Sequence, residues 1–139
     1  MSIWKAVAAI ARVTLFVGAP ISCANAQTTN LVCGGEFHEY EPRHVESTVA
    51  PTAATVDIAN SRITTPLGMF RITSVSEAGV GFEDAGNNRF KVTGYVDRVS
   101  GQMTISWRRP EEEAKVQAGM PAHNSMFAEL ACSAAKRLF

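Results

Sequence analysis

The chain is short of cysteine, carries no surplus charge of either sign, and has no apolar run long enough to span a bilayer. Its three cysteines among 139 residues cannot build a multi-disulfide framework. None stands in a C-x-x-C or C-x-x-C-H arrangement or beside a histidine, which argues against thiol redox catalysis, haem attachment and cysteine-ligated metal. Basic and acidic residues number 13 each, so net charge gives no reason to expect nucleic acid or an anionic membrane as partner. There is no G-x-S-x-G element, no glycine-rich phosphate loop ahead of a helix, no H-E-x-x-H and no internal repeat. The longest apolar stretch, residues 6–21, is interrupted by Arg12 and Thr14 and falls short of the ~20 residues a membrane helix needs. Arg12 near its middle would be costly in hydrocarbon.

That stretch has a different reading. Lys5 precedes it, and Ser22-Cys23-Ala24-Asn25-Ala26 follows, with small residues at the A-x-A positions. A charged start, an apolar centre and a small-residue end are the three parts of a secretory signal peptide. Cleavage is expected after Ala26, leaving residues 27–139 as one exported domain. Pro20 occupies a position where lipoprotein processing at Cys23 expects an aliphatic residue. Removing 26 of 139 residues leaves 113, enough for one domain with a real core. Lys5 and Arg12 leave with the leader, so the mature charge is 11 against 13, or −2.

Cys33 and Cys132 remain, one near each end of the mature chain. An even cysteine count in an exported chain implies a disulfide. The enclosed loop is about 100 residues, for which the chain-entropy model assigns at most ~4.7 kcal/mol. The bridge would make the first and last segments spatial neighbours, because the two Cα atoms must come within ~7 Å.

The mature chain is dominated by period-two patterning. Phe90, Val92, Gly94 and Val96 alternate with Lys91, Thr93, Tyr95 and Asp97. After Val99-Ser100-Gly101, the apolar residues Met103, Ile105 and Trp107 alternate with Gln102, Thr104, Ser106 and Arg108. This is a β-hairpin with one apolar face. Gly94 inside the first strand implies a bulge, a bend or a close backbone approach. Further strands are expected at residues 31–33, 37–41, 54–58, 62–65, 69–75, 80–83 and 126–132. Residues 43–51 and 110–124 are expected to be loops, the latter with no more than one helical turn. The sum is an all-β domain: about eight short strands in a small antiparallel meander barrel or sandwich, closed by the end-to-end disulfide.

Candidate chemistry is sparse. His38, Glu39 and His44 form a weak polar group within an acidic, histidine-bearing stretch. On a strand, His38 shares a face with Glu36 and Tyr40 but not with Glu39. Joining His38 to His44 needs a loop, and a solvated polar edge is the simpler reading. No metal or other cofactor is expected, since a metal chaperone would carry more histidine or methionine. His123 reads as an exposed loop residue. Trp107-Arg108-Arg109 offers a stacking or anion patch. The plainer alternative puts Trp107 in the core and the arginines in water, with Glu111, Glu112 and Glu113 neutralising them. The terminal Phe139 invites comparison with outer-membrane barrels, but Arg137, Ala135, Ser133 and Ala131 before it are not a lipid-facing stripe.

The run Gly94-Tyr95-Val96-Asp97-Arg98-Val99-Ser100-Gly101 resembles a G-x-hydrophobic-D-R-hydrophobic-S/T-G hairpin of small, uncharacterised exported proteins of alphaproteobacteria. The late strand around Cys132 and the Lys136-Arg137-Leu138-Phe139 ending share that resemblance. It implies compartment and fold. In the hairpin, whose turn is Val99-Ser100-Gly101, Asp97 can accept backbone N–H bonds, Gly101 can take a positive φ, and Arg98 is expected to pair with Asp97 or a neighbouring strand. The layout is also similar, as an analogy, to the periplasmic inhibitors of C-type lysozyme, which present a Ser-Gly-x-x-Tyr loop. Here Ser100-Gly101-Gln102-Met103-Thr104 carries Thr in place of the Tyr.

The expected function is that of a periplasmic or secreted, non-enzymatic binding or interaction protein. Its partner would be an unidentified periplasmic or extracellular molecule, with no nucleic acid and no membrane span after leader removal. The alternatives are an inhibitor of a cell-wall hydrolase such as lysozyme, and a small hydrolase or metal-dependent enzyme using His38 or His44.

Overall fold

Alternating apolar and polar residues build eight strands: β1 (Thr28–Glu39), β2 (Val45–Asp57), β3 (Arg62–Thr65), β4 (Gly68–Val75), β5 (Gly79–Asp84), β6 (Lys91–Asp97), β7 (Gln102–Arg108) and β8 (Met126–Ala134). These come from a computed structural model that describes residues 27–84 and 89–136. The leader expected over residues 1–26, most of the turn cluster after Asp84 and the tail at 137–139 lie outside the described residues. Each strand pairs antiparallel with the next, and β8 pairs back onto β1 to close a barrel.

The inward face is apolar. Phe82, Ile63, Met103, Ile105 and Leu130 are fully buried, and Val80, Val92, Ala54 and Ala128 pack with them. Burying each large aliphatic or aromatic side chain contributes ~1.5–3 kcal/mol. An eight-stranded barrel is just wide enough for such side chains to fill it. The filled apolar interior is the reverse of an outer-membrane barrel, whose interior is polar. Among the described residues, no helix is long and apolar enough to cross a membrane.

The seam holds the disulfide. Cys33 and Cys132 are direct partners in the β1–β8 register, their Cα atoms are 4.1 Å apart, and the bridge joins them inside the barrel. Gly94 is explained by a close approach: a Cβ there would lie 2.2 Å from the Phe82 ring, which lies across the glycine of the neighbouring strand. The aromatic side chain thus covers the space that the glycine leaves.

The strands expected apart at 31–33 and 37–41 are one, β1, which the β8 ladder carries unbroken through Gly34 and Gly35. The structure departs from the sequence-based expectation in two further segments. Residues 43–51 are mostly strand, because β2 begins at Val45 and pairs with β1 through a bulge opposite Gly34. The first nine residues of β2 are nearly all exposed, so no apolar alternation marks them. β1 and β2 are therefore long, at 12 and 13 residues. β3 covers β2 only along Thr55, Val56 and Asp57, so the β1–β2 hairpin projects past it. The second departure is a helix, α1 (Pro110–Gln117), within the expected loop. It has Pro at its start, three glutamates in its first turn and Lys115 in its last, all favourable to the helix dipole. It ends at Gly119, φ 71°, where the Gly119 and Met120 amides bond back to the Val116 and Lys115 carbonyls. α1 buries none of its residues, so no apolar face advertises it.

The meander sorts its connections to two ends. The β1–β2, β3–β4, β5–β6 and β7–β8 connections share one end. The β2–β3, β4–β5 and β6–β7 turns share the other with the beginning of β1 and the end of β8.

Candidate functional site

At the end where β1 begins, the core stops short of the rim and leaves a cavity of about 380 Å³. Inward-facing Leu31, Val56, Ile58, Val80 and Val96 make its walls, and Cys132 and Ala134 of β8 complete them. The β6–β7 turn, with Arg98, Val99 and Ser100, forms one side of the opening. Val99 is 90% exposed, an apolar side chain standing in water at the rim.

The turn is tightly built. Asp97 Oδ1 accepts the Val99 amide at 2.7 Å and the Ser100 amide at 2.9 Å. Those two donations, Ser100's first, hold the Asp97 carboxyl below its ordinary value. Gly101 has φ 75°, and its amide bonds the Asp97 carbonyl at 3.0 Å. Its own carbonyl accepts the Cys132 amide at 2.8 Å, and a Cβ on Gly101 would lie 2.4 Å from the Cys132 carbonyl oxygen. The hairpin motif is therefore a rigid turn docked on the disulfide-bearing strand. Asp97 spends its charge on the turn. Arg98 does not form the expected pair with Asp97 or a neighbouring strand, because the turn amides occupy the carboxylate, and among the described residues its guanidinium has no ion-pair partner.

The opposite end carries the histidines. His38 of β1 is the direct cross-strand partner of Glu46 of β2, and the five-residue turn between the strands returns His44 to the same face. His38 Nδ1 lies 3.5 Å from Glu46 Oε1, and His44 Nε2 lies 3.3 Å from the same oxygen. His38 Nε2 faces Glu36 Oε2 at 3.6 Å. The rings of His38, Tyr40 and His44 lie nearly parallel, with Tyr40 and His44 centroids 5.2 Å apart. His38 is 18% exposed and His44 54%.

Of the three sequence candidates here, the structure brings His38 and His44 together and separates Glu39 from them. Glu39 points the other way, into a polar pocket with Glu41, Arg89, Arg109 and Ser125. Glu46 takes its place, a residue that period-two facing on β1 cannot reach because it arrives from the partner strand. In the same pocket Arg109 pairs with Glu41, and Ser125 is 3% exposed with a hydroxyl unpartnered among the described residues.

The remaining candidates are structural. Trp107 packs against the core, its ring edge-to-face with Phe37 at 5.7 Å. Arg108 is held by Asn124 at 2.8 Å and Glu113 at 3.4 Å. His123 is an exposed loop residue whose amide donates to Glu112 at 2.9 Å. Lys115 and that amide together lower the Glu112 carboxyl. Asp57 is lowered likewise, chiefly by the Asn60 side chain across the β2–β3 turn. Cys33 and Cys132 are joined in the bridge, so neither thiol is free. No family model, curated protein or solved structure matches the chain.

Proposed function

We propose that residues 27–139 form an exported, non-enzymatic binding protein that takes a small amphipathic molecule into the open end of its barrel. The ligand class is an apolar body with one anionic head. The carrying observation is the cavity of about 380 Å³, walled by Leu31, Val56, Ile58, Val80 and Val96 with Arg98 at its rim. That volume lies at the small end of the ~300–1,000 Å³ range of ligand pockets, and barrel mouths are a usual place for them. Apolar walls supply affinity by area, and the guanidinium supplies orientation. Export is supported by the leader pattern of residues 1–26 and by the disulfide, which needs an oxidising compartment to persist.

The test is calorimetric titration of the purified protein with decanoate and, separately, decanol. Decanoate is expected to bind at one site. Arg98→Ala should weaken decanoate by about tenfold, the value of one charge-assisted hydrogen bond, and leave decanol unchanged. Ile58→Trp, which fills the opening, should abolish both. Binding that survives Ile58→Trp would place the ligand elsewhere and remove the proposal.

A further inference from the structure

At the end of the barrel opposite the cavity, the β1–β2 hairpin carries a second arrangement that the binding function above does not use. We infer that His38, His44 and Glu46 form a binding site for one divalent transition-metal ion. The geometry is the first argument. A tetrahedral ion with nitrogen and oxygen ligands at ~2.0–2.2 Å holds neighbouring ligand atoms ~3.3–3.6 Å apart. Glu46 Oε1 already stands at 3.3 Å from His44 Nε2 and 3.5 Å from His38 Nδ1. One ligand atom from each residue lies within 4.8 Å of the other two. Bringing both imidazoles onto a common ion needs a shift of His44, the half-exposed member on the turn, within the stack it makes with Tyr40.

The second argument is what stands behind the ligands. If His38 offers Nδ1 to the ion, its Nε2 is left 3.6 Å from Glu36 Oε2, an ion-pair separation just beyond a hydrogen bond. A carboxylate on the far nitrogen of a metal-bound histidine fixes its tautomer and raises its basicity. Tyr40, stacked on His44, limits the ring planes that His44 can sample. The donors are two borderline nitrogens and one carboxylate, which suit zinc, copper(II) or nickel and not magnesium. Three protein ligands leave a fourth position facing solvent.

The arrangement depends on register. A one-residue slip of β2 on β1 would turn Glu46 to the other face and leave the histidines without their shared carboxylate. Glu36, His38 and Glu46 are thus set by strand pairing, and His44 by the short turn.

The experiment is zinc titration by calorimetry of protein expressed from the full-length chain without a histidine tag, in a non-coordinating buffer, with magnesium as the comparison ion. One zinc per chain and no magnesium heat are expected. His44→Ala and Glu46→Gln should each weaken zinc ~10–100-fold, and Glu36→Gln about tenfold at unchanged stoichiometry. Glu39→Gln and His123→Ala should change nothing. His38→Ala is the largest expected loss. Should it fail to fold, as judged by its circular dichroism, His44→Ala and Glu36→Gln on the exposed tip carry the test. Absence of zinc binding at millimolar ion, or binding that persists when His38 and His44 are both alanine, overturns the site. Neither outcome touches decanoate binding at the opposite end, so the two proposals fail separately.

Discussion

Asp97 shows how a single half-buried residue organises an end of the molecule. Its carboxylate closes the β6–β7 turn through the Val99 and Ser100 amides, and the turn docks on β8 beside the disulfide. Because those bonds favour the charged form, the folded-state value is depressed below 3.8. The sign follows: a depressed carboxylate stabilises the fold above its unfolded value, and that stabilisation is lost as pH falls through the folded value. Asp97→Ala should therefore melt at lower temperature than the parent at neutral pH. The gap should close as the pH is taken well below 3.8, where the parent's carboxylate is itself protonated. Thermal melts across that range decide it, and a gap independent of pH would mean that the charge of Asp97 is irrelevant to the turn. A glycine is required at position 101 on two counts, its φ of 75° and its contact with the Cys132 carbonyl.

Among the elements, β5 and β6 show packing that acts through an absence. The Phe82 ring occupies the place where a Gly94 side chain would stand. Gly94→Ala should destabilise by ~1–3 kcal/mol through overpacking. Shortening the ring gives the new methyl its space, so Gly94→Ala with Phe82→Leu should be less destabilised than the two single changes summed. A coupling of ~0.5–3 kcal/mol in urea melts would confirm contact, and strict additivity would refute it. The strand containing Gly94 was legible because buried Val92 and Val96 alternate with outward residues. The first half of β2 was not: it is exposed on both faces and is a strand only because β1 pairs with it. The same blindness hid Glu46 from the histidine group, since facing along one strand cannot tell which residue of its partner lies opposite. α1 carried readable end signals in Pro110, Lys115 and Gly119, but an eight-residue helix that buries nothing has no periodicity to read. The cavity was illegible for another reason. Its wall residues follow the same alternation as the core, and only the three-dimensional ends of the barrel separate filled layers from an open one.

For the whole molecule, the question is what closes the barrel. The β1–β8 seam is nine register pairs long, from Leu31–Ala134 to Glu39–Met126, and the bridge is a single point within it. Backbone hydrogen bonds of the ladder close the native state with or without the covalent link, so the bridge acts mainly by limiting the unfolded chain. Reduction, or Cys33→Ala with Cys132→Ala, should then lower stability by ~2–5 kcal/mol in urea melts. The far-ultraviolet circular dichroism in buffer alone should not change. Binding of decanoate should also be retained, because the cavity rim at Cys132 is held by its own amide bond to Gly101 as well as by the sulfur. Slow amide exchange along residues 31–39 in the reduced protein would show the ladder intact. Rapid exchange confined to those residues, with the other strands still protected, would mean that sulfur and not the backbone closes this barrel.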